Sequence, residues 1–207
     1  RGDTIGLFTL ANDLRGPDIY IDLYERPAFV HEFLSILTRK MIARRRWRNT
    51  LGLDLQPGVY LVDDSSGALS PALYRQFLYP YVMQLVEALG RPLCIHIDAP
   101  ADHLLPIYRE MGLNRLDSFG WKTSLEKVRE YLGGQAVITG NIEPGLFAGD
   151  SAEEIYRLSM HALEVLAPGG GFMLQDGANL VPGARPENIN AMMRAARDYG
   201  LPQERSH

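Results

Sequence analysis

Residues 59–71 read Val59-Tyr60-Leu61-Val62-Asp63-Asp64-Ser65-Ser66-Gly67-Ala68-Leu69-Ser70-Pro71, and this stretch decides the fold. A four-residue apolar run that ends on two aspartates has the pattern of a buried strand entering a loop. Ser70 followed by Pro71 is an N-cap with proline at the first helical position, opening a helix to about Leu89. Along that helix Leu78, Val82, Leu85 and Leu89 form a stripe of ordinary core residues.

The same strand–loop–helix unit recurs on both sides. Downstream, strands are expected over residues 93–97, 115–119, 136–139 and 172–174, with helices over 102–111, 124–132 and 151–166. Ser151 and Glu154 have the spacing of a capping box. Pro186 opens a last helix with Ile189, Met192, Met193 and Ala196 on one face. Upstream, residues 4–9 are expected as a strand, and a long helix starts near Pro27 with Val30, Phe33, Leu34, Leu37, Met41 and Ile42 along one side. Six units in a row demand a parallel sheet with helical crossovers, which an open doubly wound sheet and a closed barrel both satisfy. A closed barrel needs eight units and roughly 250 residues. The 207 residues are therefore expected to form a single α/β domain over 1–207, a TIM (β/α)8-type barrel whose N-terminal part is missing from the chain.

Composition narrows the function. Hydrophobic residues make up 46% and charged residues 22%, an ordinary globular balance. A net charge of −4 argues against a nucleic-acid binder. Arg44, Arg45, Arg46 and Arg48 are placed to favour the C-terminal end of their helix. The one cysteine, Cys94, rules out an intrachain disulfide and any multi-cysteine zinc site, and fits a cytoplasmic protein. No run approaches the ~18 apolar residues of a membrane span. Gly2 and Gly6 do not make a dinucleotide fingerprint, so no nucleotide cofactor is expected.

In a barrel the chemistry sits at the C-terminal ends of the strands. Those ends carry Asn12 and Asp13, then Asp63 and Asp64, then His96 and Asp98. After them come Asp117 and Ser118, Asn141 and Glu143, and Asp176 and Asn179. Any one of these is also an ordinary turn or cap residue; together they are better explained as a pocket lining. His96 and Asp98 stand two apart on a strand and share a face, where they can bind a divalent metal, share a proton or hold a polar substrate group. Cys94 shares that face but lies deeper, as a small buried hydrophobe. A third ligand must come from another strand end, Asp64 or Asp176, and zinc is the first choice for such a mixed set. The catalytic candidates are His96, Asp98 and Asp64, and the substrate-binding candidates are Asp13, Asp63, Asn141, Asp176 and Asn179. His96, Asp98, Asp64 and Asn141 are expected to open onto one end of the barrel. His31, His103 and His161 are expected to be solvated on helices.

Several stretches resemble one superfamily, the uroporphyrinogen decarboxylases and the related corrinoid-linked methyltransferases. They are Gly6-Leu7-Phe8-Thr9-Leu10-Ala11 through Gly16, Pro27 with Val30-His31, and Asp63 through Pro71 followed by Phe77 and Tyr79-Pro80-Tyr81. Gly140-Asn141-Ile142-Glu143-Pro144, Gly177 through Pro182, and Pro186-Glu187-Asn188-Ile189 complete a collinear match over nearly the whole chain. The resemblance implies a barrel, a small-molecule substrate and, for the methyltransferase branch, a corrinoid protein as partner; a homodimer is the expected assembly.

The departures from that resemblance bear on activity. The decarboxylases carry an N-terminal Arg-rich segment that grips substrate carboxylates, and this chain begins after it. Asp13 stands at the family's active-site tyrosine, Asp64 at its serine and Ala178 at its late histidine. Carboxylates facing a polyacidic porphyrinogen repel it. The methyltransferases bind zinc through a His-x-Cys pair and a late cysteine, where this chain has His96-x-Asp98 and Ala178. The expectation is a methyltransferase-like enzyme, with uroporphyrinogen decarboxylase and a non-catalytic ligand-binding barrel as the alternatives.

Overall fold

The computed structural model describes residues 5–53 and 57–200. Helices α1 (Leu7–Arg15), α2 (Ile19–Glu25) and α3 (Pro27–Thr50) precede five strands: β1 (Val59–Val62), β2 (Leu93–His96), β3 (Arg115–Asp117), β4 (Val137–Ile142) and β5 (Phe172–Asp176). Between β1 and β2 lie α4 (Pro71–Leu73) and α5 (Tyr79–Leu89); α6 (Leu105–Glu110), α7 (Leu125–Leu132) and α8 (Ala152–Leu166) link the later strands, and α9 (Pro186–Gly200) follows β5. Every neighbouring pair is parallel, and sheet order equals chain order. This order separates a barrel from an open doubly wound sheet. Right-handed crossovers that always add the next strand on the same side put all helices on one face. A doubly wound sheet reverses direction to cover both faces. With helices on one side only, the sheet covers its other face by curling toward closure. The fold is α/β, of the expected (β/α)-barrel type.

Alternation along the strands divides the two faces. Val59, Leu61, Leu93, Ile95, Leu116 and Ile138 are all buried beneath the helices. Tyr60, His96, Arg115 and Asp117, at the intervening positions, line a cavity on the opposite face. No helix among the described residues is long and apolar enough to cross a membrane.

Several expectations need correction. Residues 4–9 do not form a strand: Ile5 makes one isolated parallel bridge to Val62 and the chain then turns into α1, while residue 4 lies outside the described residues. The sheet therefore has five strands among the described residues, not six. A short apolar run reads alike as strand or buried helix. What selects helix here is distant in sequence, because the Asp63 carboxylate accepts a 2.8 Å hydrogen bond from the Thr9 N–H and caps the helix start. Gly6 is needed there, since a Cβ would lie 2.3 Å from that of Asp63. The helix opened by Ser70 is capped as expected, by a 3.3 Å bond from the Leu73 N–H, but passes through a π-helical turn over Tyr74–Leu78. Pro80 lies just beyond; it lacks an N–H for the carbonyl four residues back and its ring crowds that carbonyl, which disfavours a regular α-turn there. Ser151 precedes α8 without a capping bond from its side chain. The buried face of α9 is Asn188, Ala191 and Ala195, with Met193 half exposed, a rotation from the expected stripe.

Candidate metal and substrate site

In the β1–β2 register Val62 sits beside His96, and two residues beyond each come Asp64 and Asp98. The Asp98 N–H donates to Asp64 Oδ1 at 2.6 Å, tying the two loops together. His96 Nε2 lies 3.1 Å from Asp98 Oδ1. One ligand atom from each of Asp64, His96 and Asp98 falls within 4.8 Å of the others. The expected trio is thus brought together, with Asp64 as the third member; Asp176 is not part of it.

His96 is 9% exposed. Asp98 Oδ1 is buried, and its near polar neighbour is the His96 imidazole. Burial pushes the Asp98 carboxyl above its ordinary value; His96 opposes this, and Asp64 and Asp176 add to it. Asp176 Oδ2 is also buried, and it has no donor among the described residues. Buried carboxylate oxygens that converge with few donors are the arrangement a cation relieves.

His96 also lines a polar cavity of about 240 Å³ with Tyr60, Arg115, Asp117, Gln175 and Asn179, and Ala178 lies on its wall. Asp117 anchors it. Its carboxylate accepts from the Tyr60 hydroxyl, from Arg115 Nη2 at 2.7 Å and from Thr139 Oγ1 at 2.8 Å. Burial alone would raise the Asp117 carboxyl, but these donors outweigh it and hold the group below its ordinary value. Ser118, next in the chain, is 4% exposed and sits at φ 51°, a conformation uncommon for a non-glycine residue. Tyr60 and Arg115 are not among the candidates drawn from the sequence. Their signal was the period of two, which puts Tyr60 on the face opposite Val59 and Leu61, and Arg115 on the face of Asp117.

The other candidates are placed less uniformly. Asn179 is exposed at the cavity mouth. Asp63 is 2% exposed, and its carboxylate accepts from the Thr9 N–H and hydroxyl. Asp13 is exposed on α1 and lines neither this cavity nor the one that holds Asn141. Asn141 does not share the His96 cavity; it lines a separate one with Trp121 and Glu143. Cys94 is half-buried, less sequestered than expected, and outside the trio. His31 is not simply solvated: it stacks on Phe77 at 4.7 Å and lies 3.1 Å from the Tyr81 hydroxyl. His103 is held 3.0 Å from the Leu69 carbonyl oxygen.

Known proteins resemble the chain in sequence and fold over most of its length. A uroporphyrinogen decarboxylase from Nocardia farcinica is 31% identical over 205 residues, covering 92% of this chain and 56% of its own length. One from Coxiella burnetii is 26% identical over 190 residues, covering 88% and 51%. The chain thus spans about half the length of these curated relatives. A solved methyltransferase from Methanosarcina mazei superposes with a TM-score of 0.74 at 21% identity, over 94% of this chain and 57% of that one, a likeness of fold. The family model described as "Uroporphyrinogen decarboxylase (URO-D)" matches residues 2–199, and the chain belongs to that family.

Proposed function

We propose that the chain carries the substrate end of a methyltransferase-like enzyme of this family, acting on a small molecule with a corrinoid protein as partner. The observation that carries this reading is the Asp64–His96–Asp98 cluster, whose ligand atoms lie within 4.8 Å of one another with a buried carboxylate oxygen turned toward the imidazole. One imidazole nitrogen and two carboxylates fit a divalent metal, zinc first, with manganese, cobalt or iron compatible with the same donors. Such a metal supplies Lewis acidity toward the heteroatom that carries a methyl group. The chain's own residues supply the rest. The Asp64 bond to the Asp98 N–H fixes the loops, and Asp117 fixes Tyr60 and Arg115 along the cavity wall. The solved methyltransferase agrees with this reading in fold, and it is the site chemistry that favours it.

The second reading, decarboxylation of uroporphyrinogen, is favoured by the names of the relatives. Against it, Asp64, Asp98 and Asp176 face the same end of the sheet, where a polyacidic porphyrinogen meets repulsion. Arg115, the cation on the cavity wall, already pairs with Asp117.

The test uses the full-length protein loaded with zinc, cob(I)alamin as acceptor, and a panel of methoxy and methylamine compounds. The expected result is methylcobalamin formation with at least one donor, lost in His96→Ala, and no coproporphyrinogen from uroporphyrinogen. Conversion of uroporphyrinogen at an enzymatic rate, without methylcobalamin from any donor, would reverse the order of the two readings.

A further inference from the structure

A second cavity, of about 430 Å³, lies between the start of α7, the loop after β4 and α8. Its volume is within the range of small-molecule sites. All the elements that wall it come from consecutive units of this chain. Trp121, 37% exposed, forms one side, and Leu146 and Leu158 extend the apolar surface. Asn141 reaches it from β4; it is 7% exposed, and among the described residues its side chain has no hydrogen-bond partner. The amide atoms are open to the cavity and uncommitted to the protein, so both donor and acceptor are available to a ligand held there.

Charge selects the ligand class. Glu143 lines the cavity, is exposed and makes no ion pair among the described residues. Glu154, also on the wall, is held only loosely, 3.9 Å from Arg157 one turn along its own helix. The one basic side chain on the wall, His161, lies 3.6 Å from Glu126, which offsets it when protonated. An indole beside two available carboxylates and apolar side chains recognises a cation with an apolar body.

We propose that this cavity, separate from the His96 site, binds a small organic cation, an alkylated or aryl-substituted ammonium, between Trp121 and the Glu143 and Glu154 carboxylates, with the Asn141 amide hydrogen-bonding its polar end. This proposal does not depend on the metal or on the methyl-transfer reading.

The probe is benzylammonium, whose N–H groups can donate to the Asn141 amide oxygen, with benzyl alcohol as its neutral counterpart and benzoate as its anionic one. A Trp47→Phe background leaves Trp121 as the single tryptophan of these 207 residues, and the signal lost in Trp121→Ala is the one that reports occupancy. The expected result is saturable quenching by the cation, about tenfold tighter than by benzyl alcohol, with no quenching by benzoate. Calorimetry should show the binding weakened about fivefold or more in the Glu143→Gln, Glu154→Gln double variant and removed in Trp121→Ala. Zinc uptake at His96 should be the same in all of these proteins. If the cation and alcohol bind alike, or the double variant keeps full cation affinity, or the cation binds without a Trp121 signal, the proposal is overturned.

Discussion

The Asp63 carboxylate accepts from the Thr9 N–H at 2.8 Å and from the Thr9 hydroxyl at 3.0 Å, and it is 2% exposed. Burial raises its carboxyl to about 6 against these bonds, and Asp64 pushes it further up. The sign of the resulting pH dependence follows. Between about pH 4 and 6 the folded chain holds a proton that the unfolded chain, with a carboxyl near 3.9, has released. Stability therefore falls as pH rises through that window, by about 3 kcal/mol in all. Asp63→Asn keeps an acceptor oxygen for Thr9 and removes the titration. Urea denaturation at pH 4 and pH 7 should show the variant gaining about 2 kcal/mol on the wild type across that interval. A stability difference that stays constant with pH would show that Asp63 titrates in its ordinary range. At this scale the sequence was partly legible. That His96, Asp98 and Asp64 lie together was legible because strand ends and the period of two place them. That Thr9 engages Asp63 and not Asp64 was not legible, because two adjacent aspartates look alike until α1 is seen beside one of them. That Asn141 lines a different cavity from His96 was not legible, because position at a strand end does not say which space a residue borders.

Helix α9 is held by a polar side chain. Asn188 is 2% exposed, and its amide donates to the carbonyl oxygens of Phe147 at 2.9 Å and Gly149 at 2.6 Å, with Leu146 at 3.2 Å. These carbonyls belong to the loop after β4, so a single amide joins the last helix to the strand end that leads into the Trp121 cavity. Asn188→Ala removes the bonds of both amide hydrogens, while the Arg185 N–H still donates to the Phe147 carbonyl and the Gly149 N–H to that of Leu146; at about 0.5–1.5 kcal/mol net per bond it should cost about 1–3 kcal/mol. The loss should also be local. Hydrogen exchange should quicken in α9 and residues 144–149 before it changes in β1 and β2. Uniform acceleration across the sheet would mean that Asn188 supports the whole domain and not this junction. The helix itself was legible from Pro186 and its apolar spacing, whereas its orientation was not. Periodicity assigns apolar residues to the core and cannot anticipate an asparagine whose partners lie about 40 residues away. The π-turn before Pro80 was missed for a related reason: Ser70-Pro71 marks where a helix starts, and the accommodation of a later proline depends on how Tyr74, Phe77 and Leu78 pack.

At the scale of the whole molecule, parallel strands in sequential order bring two loops of different units to the same end of the sheet. Asp64 and Asp98 come from residues 34 apart in the chain, yet are joined by a hydrogen bond. An ion held across them would bridge the β1 and β2 units in the folded state alone. Zinc at a free concentration 100 times its Kd should then stabilise the protein by about 2.7 kcal/mol. For a chain of this length that is a rise in melting temperature of about 5–10 °C, reversed by a chelator. His96→Ala should abolish the rise, and Asp64→Asn should reduce it sharply, because each removes a donor of the trio. Asp176→Asn should leave most of it, since Asp176 acts on Asp98 through charge and stands outside the trio. Elemental analysis of the same four proteins should follow the melting shifts. A rise lost in Asp176→Asn but kept in Asp64→Asn would move the third ligand from β1 to β5. Equal rises in all four proteins would place the zinc elsewhere on the chain and remove the metal from the proposed site.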